Sequence, residues 1–330
     1  GSVDAFLTAL GGSKVSVKVK NPYFEDMDSY YGLIHEGKTA VIEMASCAGL
    51  PLVEDRKNPK LTTTYGVGQL ILAAAESGVE KIIVGLGGSS TNDGGCGAAA
   101  AVGIKFYDKD GKEFVPTGGT TADIAKIDLS GKAKVLDQVE IVTMCDIDNP
   151  MYGPTGASYI FGPQKGADEA MVEALDAGIK NLSRVIAEAT GEDISQVPGT
   201  GAAGAMGAGM IAFFGSRLQM GIQTVLDTVN FDEMIKDADY IITGEGKLDS
   251  QSLRGKVVIG IAERAKKQNK NVIAVVGGAD DSEIDKAYEM GVTAVFPINR
   301  LPQDFSVSRH HSKENLGYTV DNILRLLATK

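Results

Sequence analysis

Val84-Gly85-Leu86-Gly87-Gly88-Ser89-Ser90-Thr91-Asn92-Asp93-Gly94-Gly95-Cys96-Gly97-Ala98-Ala99-Ala100-Ala101 is the stretch on which the reading of this chain turns. Lys81-Ile82-Ile83-Val84 leads into it as a short apolar run that reads as a buried strand, and the closing alanines open like a helix. Between the two lies a loop of glycines and short polar residues. Glycine lets backbone N–H groups turn inward and come close to a ligand. The helix that follows adds partial positive charge at its N-terminus. Ser89, Ser90, Thr91 and Asn92 supply short polar side chains, and Asp93 is the only charge in the loop. A loop that suits anions and also presents a carboxylate points to phosphate chemistry or to a hydroxylated acid substrate. The alternative is a tight strand-to-helix turn with no ligand, in which Asp93 caps the helix.

Working outward, residues 14–46 alternate as strands do: Val15, Val17 and Val19 face one way, Ser16, Lys18 and Lys20 the other. Thr39–Met44 reads as a second strand. Between 64 and 190 helix and strand patterns alternate, with helices over Tyr65–Ser77, Gly95–Val102 and Asp168–Thr190 and a strand over Val139–Met144. Residues 225–330 repeat a simpler pattern: strands at Asp239–Thr243, Asn271–Gly277 and Ala294–Ile298, helices at Lys256–Lys267, Ser282–Met290 and Asn315–Leu327. Strands joined by crossover helices predict a parallel, Rossmann-like sheet. The Gly/Ala-rich stretch Pro198–Gly209 reads as a hinge or as a helix packed close against another backbone.

Composition narrows the function. The formal net charge of −11 argues against a nucleic-acid surface, yet a local cluster of cations can still reverse the field inside a cleft. No apolar run approaches the ~20 residues needed to cross a bilayer. Cys47, Cys96 and Cys145 are scattered and odd in number, so they form neither a disulfide framework nor a metal knuckle, and a reducing cytoplasm suits them. There is no Walker-type loop and no protein-kinase motif set. Gly199-Thr200-Gly201-Ala202-Ala203-Gly204 matches the dinucleotide pattern but follows no clear strand. A nicotinamide-dependent hydroxy-acid dehydrogenase stands as the alternative enzyme only if a strand precedes it.

Four further segments carry chemistry. Thr243-Gly244-Glu245-Gly246-Lys247-Leu248-Asp249 follows a buried strand, where open α/β sheets bind ligands. It holds two carboxylates and an ammonium, the residue types that phosphoryl transfer uses around Mg²⁺; the alternative is a solvated surface loop. Asp146 and Asp148, two apart after a strand, suit a metal or an ordinary turn before Asn149-Pro150. Lys165, between glycines near a helix start, and Arg254, in Leu253-Arg254-Gly255, are cations for a phosphate or carboxylate, or simply exposed.

These segments together resemble the bacterial glycerate kinases of the first type. The signature Gly87-Gly88-Ser89-Ser90-Thr91-Asn92-Asp93-Gly94-Gly95 is joined, in the same order, by Thr62–Gly66, Cys145–Pro150, Phe161–Gly166, Gly201–Gly204, Ile242–Asp249 and Ser252–Lys256. The resemblance implies transfer of the γ-phosphoryl group of ATP to D-glycerate with Mg²⁺, giving a phosphoglycerate, with 2-phosphoglycerate favoured. Asp93 and Asp249 are the catalytic candidates, Asp93 as the base that orients the substrate hydroxyl. Gly87, Gly88, Ser89, Ser90, Thr91, Asn92, Gly94, Lys165, Glu245, Lys247 and Arg254 are the candidates for holding substrate or phosphate, and Asp146 and Asp148 for a metal. A homodimer is compatible with the sequence; nucleic acid and membrane are not expected as partners.

The expected fold is two α/β domains: a Rossmann-like parallel-sheet domain from residues 1–13 and 225–330, and an inserted mixed α/β domain from 14–224, with the active site in the cleft between them. Roughly fifty N-terminal residues of the family pattern, a strand and helix included, are expected to belong to the first of these and to be absent from this chain. An inactive fragment is therefore a second alternative.

Overall fold

A computed structural model describes residues 1–250 and 252–329, apart from the side chain of Arg254. The chain is α/β and divides into two compact units, Gly1–Gly221 and Ile222–Lys330.

The first unit carries strands β1 (Ser13–Lys20), β2 (Asp26–Ile34), β3 (Thr39–Glu43), β4 (Lys81–Gly85), β5 (Lys105–Tyr107), β6 (Glu113–Phe114), β7 (Lys126–Asp128), β8 (Glu140–Met144) and β9 (Arg217–Gln219). Six of them form one mixed sheet in the order β1-β2-β3-β4-β8-β9. β1, β2 and β3 pair antiparallel, while β3, β4, β8 and β9 run parallel. Burial on both faces explains why the middles of β3 and β4 are apolar at successive positions, Ala40–Ile42 and Ile82–Val84. In β3 and β4, Ala40, Ile42, Ile82 and Val84 face the large core beneath the helix Tyr65–Glu76, while Val41 and Ile83 face the opposite side. There they meet Val3 and Phe6 of the helix Ser2–Leu10. Residues 1–13, expected with the C-terminal region, therefore belong to the first unit, because this helix covers a sheet face that would otherwise expose Val41 and Ile83.

The long helix spans Glu169–Thr190; the Asp168 side chain caps it by accepting from the Met171 N–H at 2.8 Å. Val172, Leu175, Ile179, Leu182 and Ile186 recur at helical spacing and are buried. The glycine-rich stretch resolves as turns that enter the element Ala202–Phe214, helical after a kink at 203–205 and in close backbone contact with its neighbours. The small antiparallel sheet β6-β5-β7 had no signal in the sequence, its strands being only two or three residues long.

The second unit holds β10 (Tyr240–Glu245), β11 (Asn271–Val276) and β12 (Ala294–Pro297), a parallel sheet in sequential order. Val272, Ala274 and Val276 of β11 face the helices Val257–Lys266 and Asp281–Glu289, whereas Ile273 and Val275 face Ile323 of the helix Ser312–Leu327. Among the described residues, no helix is long and apolar enough to cross a membrane.

Candidate active site

In the first unit a cavity of about 230 Å³ opens at the carboxyl ends of the parallel strands β4 and β8, the place where α/β sheets bind ligands. One wall is Leu86–Ser89, leaving β4; a second is Met144–Ile147, leaving β8. Phe161, Gln164 and Lys165 form the third, and Ala202 and Ala203 the fourth. Ligands of drug size fill pockets of about 300–1,000 Å³, so this cavity suits a small acid better than a nucleotide.

The loop after β4 divides at Ser89. Gly87, Gly88 and Ser89 line the cavity, while Ser90, Thr91, Asn92 and Asp93 are buried away from it. The Ser90 hydroxyl donates to the Ala48 carbonyl at 2.9 Å, and the Ser90 carbonyl accepts from Thr62 Oγ1 at 3.1 Å. Asn92 Nδ2 donates to Ser158 Oγ at 3.1 Å. Thr91 Oγ1 and Asn92 Oδ1 are buried without a partner.

Asp93, expected as the catalytic base, lies enclosed and outside the cavity lining. It is fully buried and accepts from the Thr64 N–H at 2.7 Å, Thr64 Oγ1 at 2.8 Å, the Gly97 N–H at 3.2 Å and the Gly95 N–H at 3.3 Å. Burial raises its carboxyl above the usual carboxylate range, and these hydrogen bonds act against the rise. Its role is to join the helix start after the loop to the Thr63-Thr64 turn. Gly94 also has a packing role: its φ is +62°, and a Cβ there would come within 2.1 Å of Leu182 Cδ2.

Lys165 faces the cavity from a buried position. Its Nζ donates to the Thr91 carbonyl at 2.6 Å, which pins the loop from the ligand side. Desolvation pushes the amine down to about 7, with the nearby Asp93 charge acting in the opposite sense. The fourth wall is strained. Ala203, Gly204 and Ala205 are successive left-handed residues, with φ of 55°, 69° and 64°, at a cost of order 1 kcal/mol for each alanine. The strain persists because the Gly204 carbonyl accepts the Gly94 N–H at 3.0 Å and a Cβ at 204 would lie 2.1 Å from the Thr91 carbonyl oxygen.

Asp146, read from sequence as a metal candidate, is among the described residues the only carboxylate lining the cavity, and Lys165 the only cation. Asp146 Oδ1 accepts the Gly221 N–H at 2.7 Å. Asp148 is exposed and does not line the cavity. Among the described residues, no three His, Cys, Asp or Glu side chains cluster to hold a metal. Phe161, Gln164, Ala202 and Ala203 were not singled out as site residues. Their signal was nonetheless present, because each sits inside a segment that carries the family resemblance.

The other candidates belong to the second unit. Glu245 closes β10, and Lys247 and Asp249 follow in the turn that leads to the short helix Ser252–Arg254. Burial raises the Glu245 carboxyl above its ordinary range, and among the described residues its buried Oε1 has no partner. Lys247 is exposed; Ser252 Oγ donates to its carbonyl at 3.0 Å. The Arg254 side chain lies outside the described residues. Mg²⁺ takes oxygen ligands and is commonly held by one or two carboxylates together with substrate phosphates. An orphaned carboxylate oxygen at a strand end, with a second carboxylate four residues on, fits that need without a dedicated cluster.

The dinucleotide alternative fails here. Residues 192–200 contain no strand; the Gly199–Gly204 segment leads from turns into the helix Ala202–Phe214.

A model of the glycerate kinase family matches residues 1–328. A glycerate kinase of Bacillus cereus is 44% identical over 324 residues, covering 98% of this chain and 85% of its own length. A glycerate 2-kinase of Escherichia coli K12 is 44% identical over 299 residues, covering 90% of this chain and 78% of its own. The crystal structure of a proposed glycerate kinase 2 from Salmonella typhimurium LT2 superposes with a TM-score of 0.86 at 38% identity, covering 99% of this chain and 86% of that one.

Proposed function

This chain belongs to the glycerate kinase family, and from that premise we propose that it transfers the γ-phosphoryl group of ATP to D-glycerate, at the 2-hydroxyl. The observation that carries this reading is the small cavity at the ends of β4 and β8, with one buried cation and one carboxylate on separate walls. A three-carbon hydroxy acid has the matching groups. Its carboxylate seeks a cation, and Lys165 has donor capacity beyond its single bond to Thr91. Ser89 and the backbone of Gly87-Gly88 supply neutral contacts on the facing wall. The choice of the 2-hydroxyl is supported by the name of the Escherichia coli relative.

Glu245 with Asp249 would hold Mg²⁺, and Lys247 is a candidate contact for phosphate. The bound ion would neutralise charge on the ATP phosphates. Asp93 supports the loop and takes no part in the chemistry.

The test is direct. The purified protein is incubated with Mg-ATP and D-glycerate, ADP is followed, and the product is offered to enolase, which dehydrates 2-phosphoglycerate and leaves 3-phosphoglycerate untouched. ADP release with an immediate enolase signal supports the proposal. ADP release without that signal moves the reaction to the 3-hydroxyl, and no glycerate-dependent ADP overturns it.

A further inference from the structure

We propose that Asp146 is the general base of the reaction, the group that takes the proton from the glycerate hydroxyl as the phosphoryl group is transferred. This inference rests on the glycerate kinase reading above.

Three observations carry it. First, the carboxylate that the sequence favoured is unavailable: Asp93 is buried, outside the cavity lining, and held by backbone and hydroxyl donors. Second, among the described residues Asp146 is the only acid on the cavity wall, placed at the carboxyl end of β8, while the only cation, Lys165, comes from a different element. A hydroxy acid whose carboxylate meets Lys165 turns its hydroxyl end toward the remaining walls, and Asp146 is the acceptor there. Third, Asp146 is positioned by one oxygen and leaves the other for a ligand. Oδ1 accepts the Gly221 N–H, the Cys145 N–H donates to the Gln219 carbonyl at 2.9 Å, and among the described residues no donor reaches Oδ2.

The step balances without a further reagent. The glycerate hydroxyl oxygen forms a bond to the γ-phosphorus of ATP. The bond from that phosphorus to the β,γ-bridging oxygen breaks, and its electron pair leaves with ADP. The hydroxyl proton passes to Asp146, which returns it to solvent when the product departs. A positioned base of this kind contributes about 10²–10⁴-fold.

Asp146→Asn separates the two jobs of the side chain. The amide oxygen still accepts the Gly221 N–H, so position is kept and only the base is lost. In the intact chain, with wild type assayed alongside, kcat should fall at least about 100-fold, and the KM for D-glycerate should stay within a few-fold. Asp146→Ala, which also releases Gly221, should be no more active than the amide. A kcat for Asp146→Asn within a few-fold of wild type overturns the assignment, and so does loss that appears only in Asp146→Ala, which would leave Asp146 a positioning residue. A large rise in KM with kcat kept would make it a binding group instead. If wild type itself leaves glycerate unphosphorylated, the functional reading fails first.

Discussion

The loops after β4 and after β10 look alike in sequence, and the fold uses them differently. Each follows a strand, contains glycine, and carries at least one carboxylate before a helix, but β4 is buried beyond Lys81 whereas β10, expected to be buried, is so only at Ile241 and leaves Ile242 exposed. The first folds inward: Asp93 is enclosed, its oxygens taken by Thr64, Gly95 and Gly97, and only Gly87–Ser89 face a cavity. The second stays near the surface, with Gly246 and Lys247 exposed and a Glu245 oxygen unmatched. What separates them is the surroundings, not composition. The first loop is packed between the Thr62–Thr64 turn, the long helix and the left-handed turn at 203–205, and Ser90, Asn92 Nδ2 and Asp93 find partners in the protein, although Thr91 Oγ1 and Asn92 Oδ1 have none among the described residues. In the second, Ser252 binds Lys247 and Asp249, and one Glu245 oxygen is left without a partner among the described residues.

The strongest challenge to this contrast is Asp93→Asn. An amide accepts fewer hydrogen bonds than a carboxylate and brings two N–H donors into a site already filled with donors. The expected loss is at least about 3 kcal/mol, read as a fall in the urea midpoint or as insoluble protein. If the variant is as stable as wild type and has lost only turnover, the contrast is wrong and Asp93 returns to the chemistry.

Lys165→Met probes the cavity face of the same loop. The methionine fills similar volume but removes the charge. We expect stability at pH 7 to change by about 1 kcal/mol or less, because the lost bond to Thr91 is offset by relief of a buried ammonium, while the KM for glycerate rises about 10–100-fold. The pH dependence has a definite sign. Burial holds the folded-state amine down at about 7, against 10.5 for an ordinary lysine. The unfolded chain therefore binds this proton more tightly, and the cost to stability is fully present below about pH 7. That cost fades as pH rises from 7 toward 10.5, so wild type should gain on Lys165→Met across this window in parallel denaturation curves. Equal slopes for the two proteins would show that the amine is not desolvated.

The smallest structural effect is expected at Glu245→Gln. On the more open loop it should alter stability by no more than about 0.5 kcal/mol, yet raise the Mg²⁺ concentration needed for half-maximal rate. An unchanged Mg²⁺ dependence would remove Glu245 from the metal assignment and leave both loops as scaffolds.

Periodicity located the regular elements well. Tyr65–Glu76, Glu169–Thr190 and the three strands of the second unit sit within a few residues of their expected limits, because hydrophobic spacing is a local property. The short strands β5, β6, β7 and β9 left no such trace; two or three residues cannot establish a period, and they exist through pairing with distant partners. At the site, glycine and small polar residues marked the right loop but not which of its side chains reach the ligand. Ser89 lines the cavity and Ser90 is bonded to Ala48, although the two are neighbours of the same type.

The sequence by itself determined the α/β class, the strand-to-helix loops and the family, since each is written in local pattern or in long motifs. Only the tertiary structure decided that Asp93 is enclosed and that Asp146 and Lys165 share a cavity. The burial of a carboxylate depends on what packs around it, and here that packing comes from residues 62–64, 165, 182 and 203–205, which no local pattern connects to residue 93.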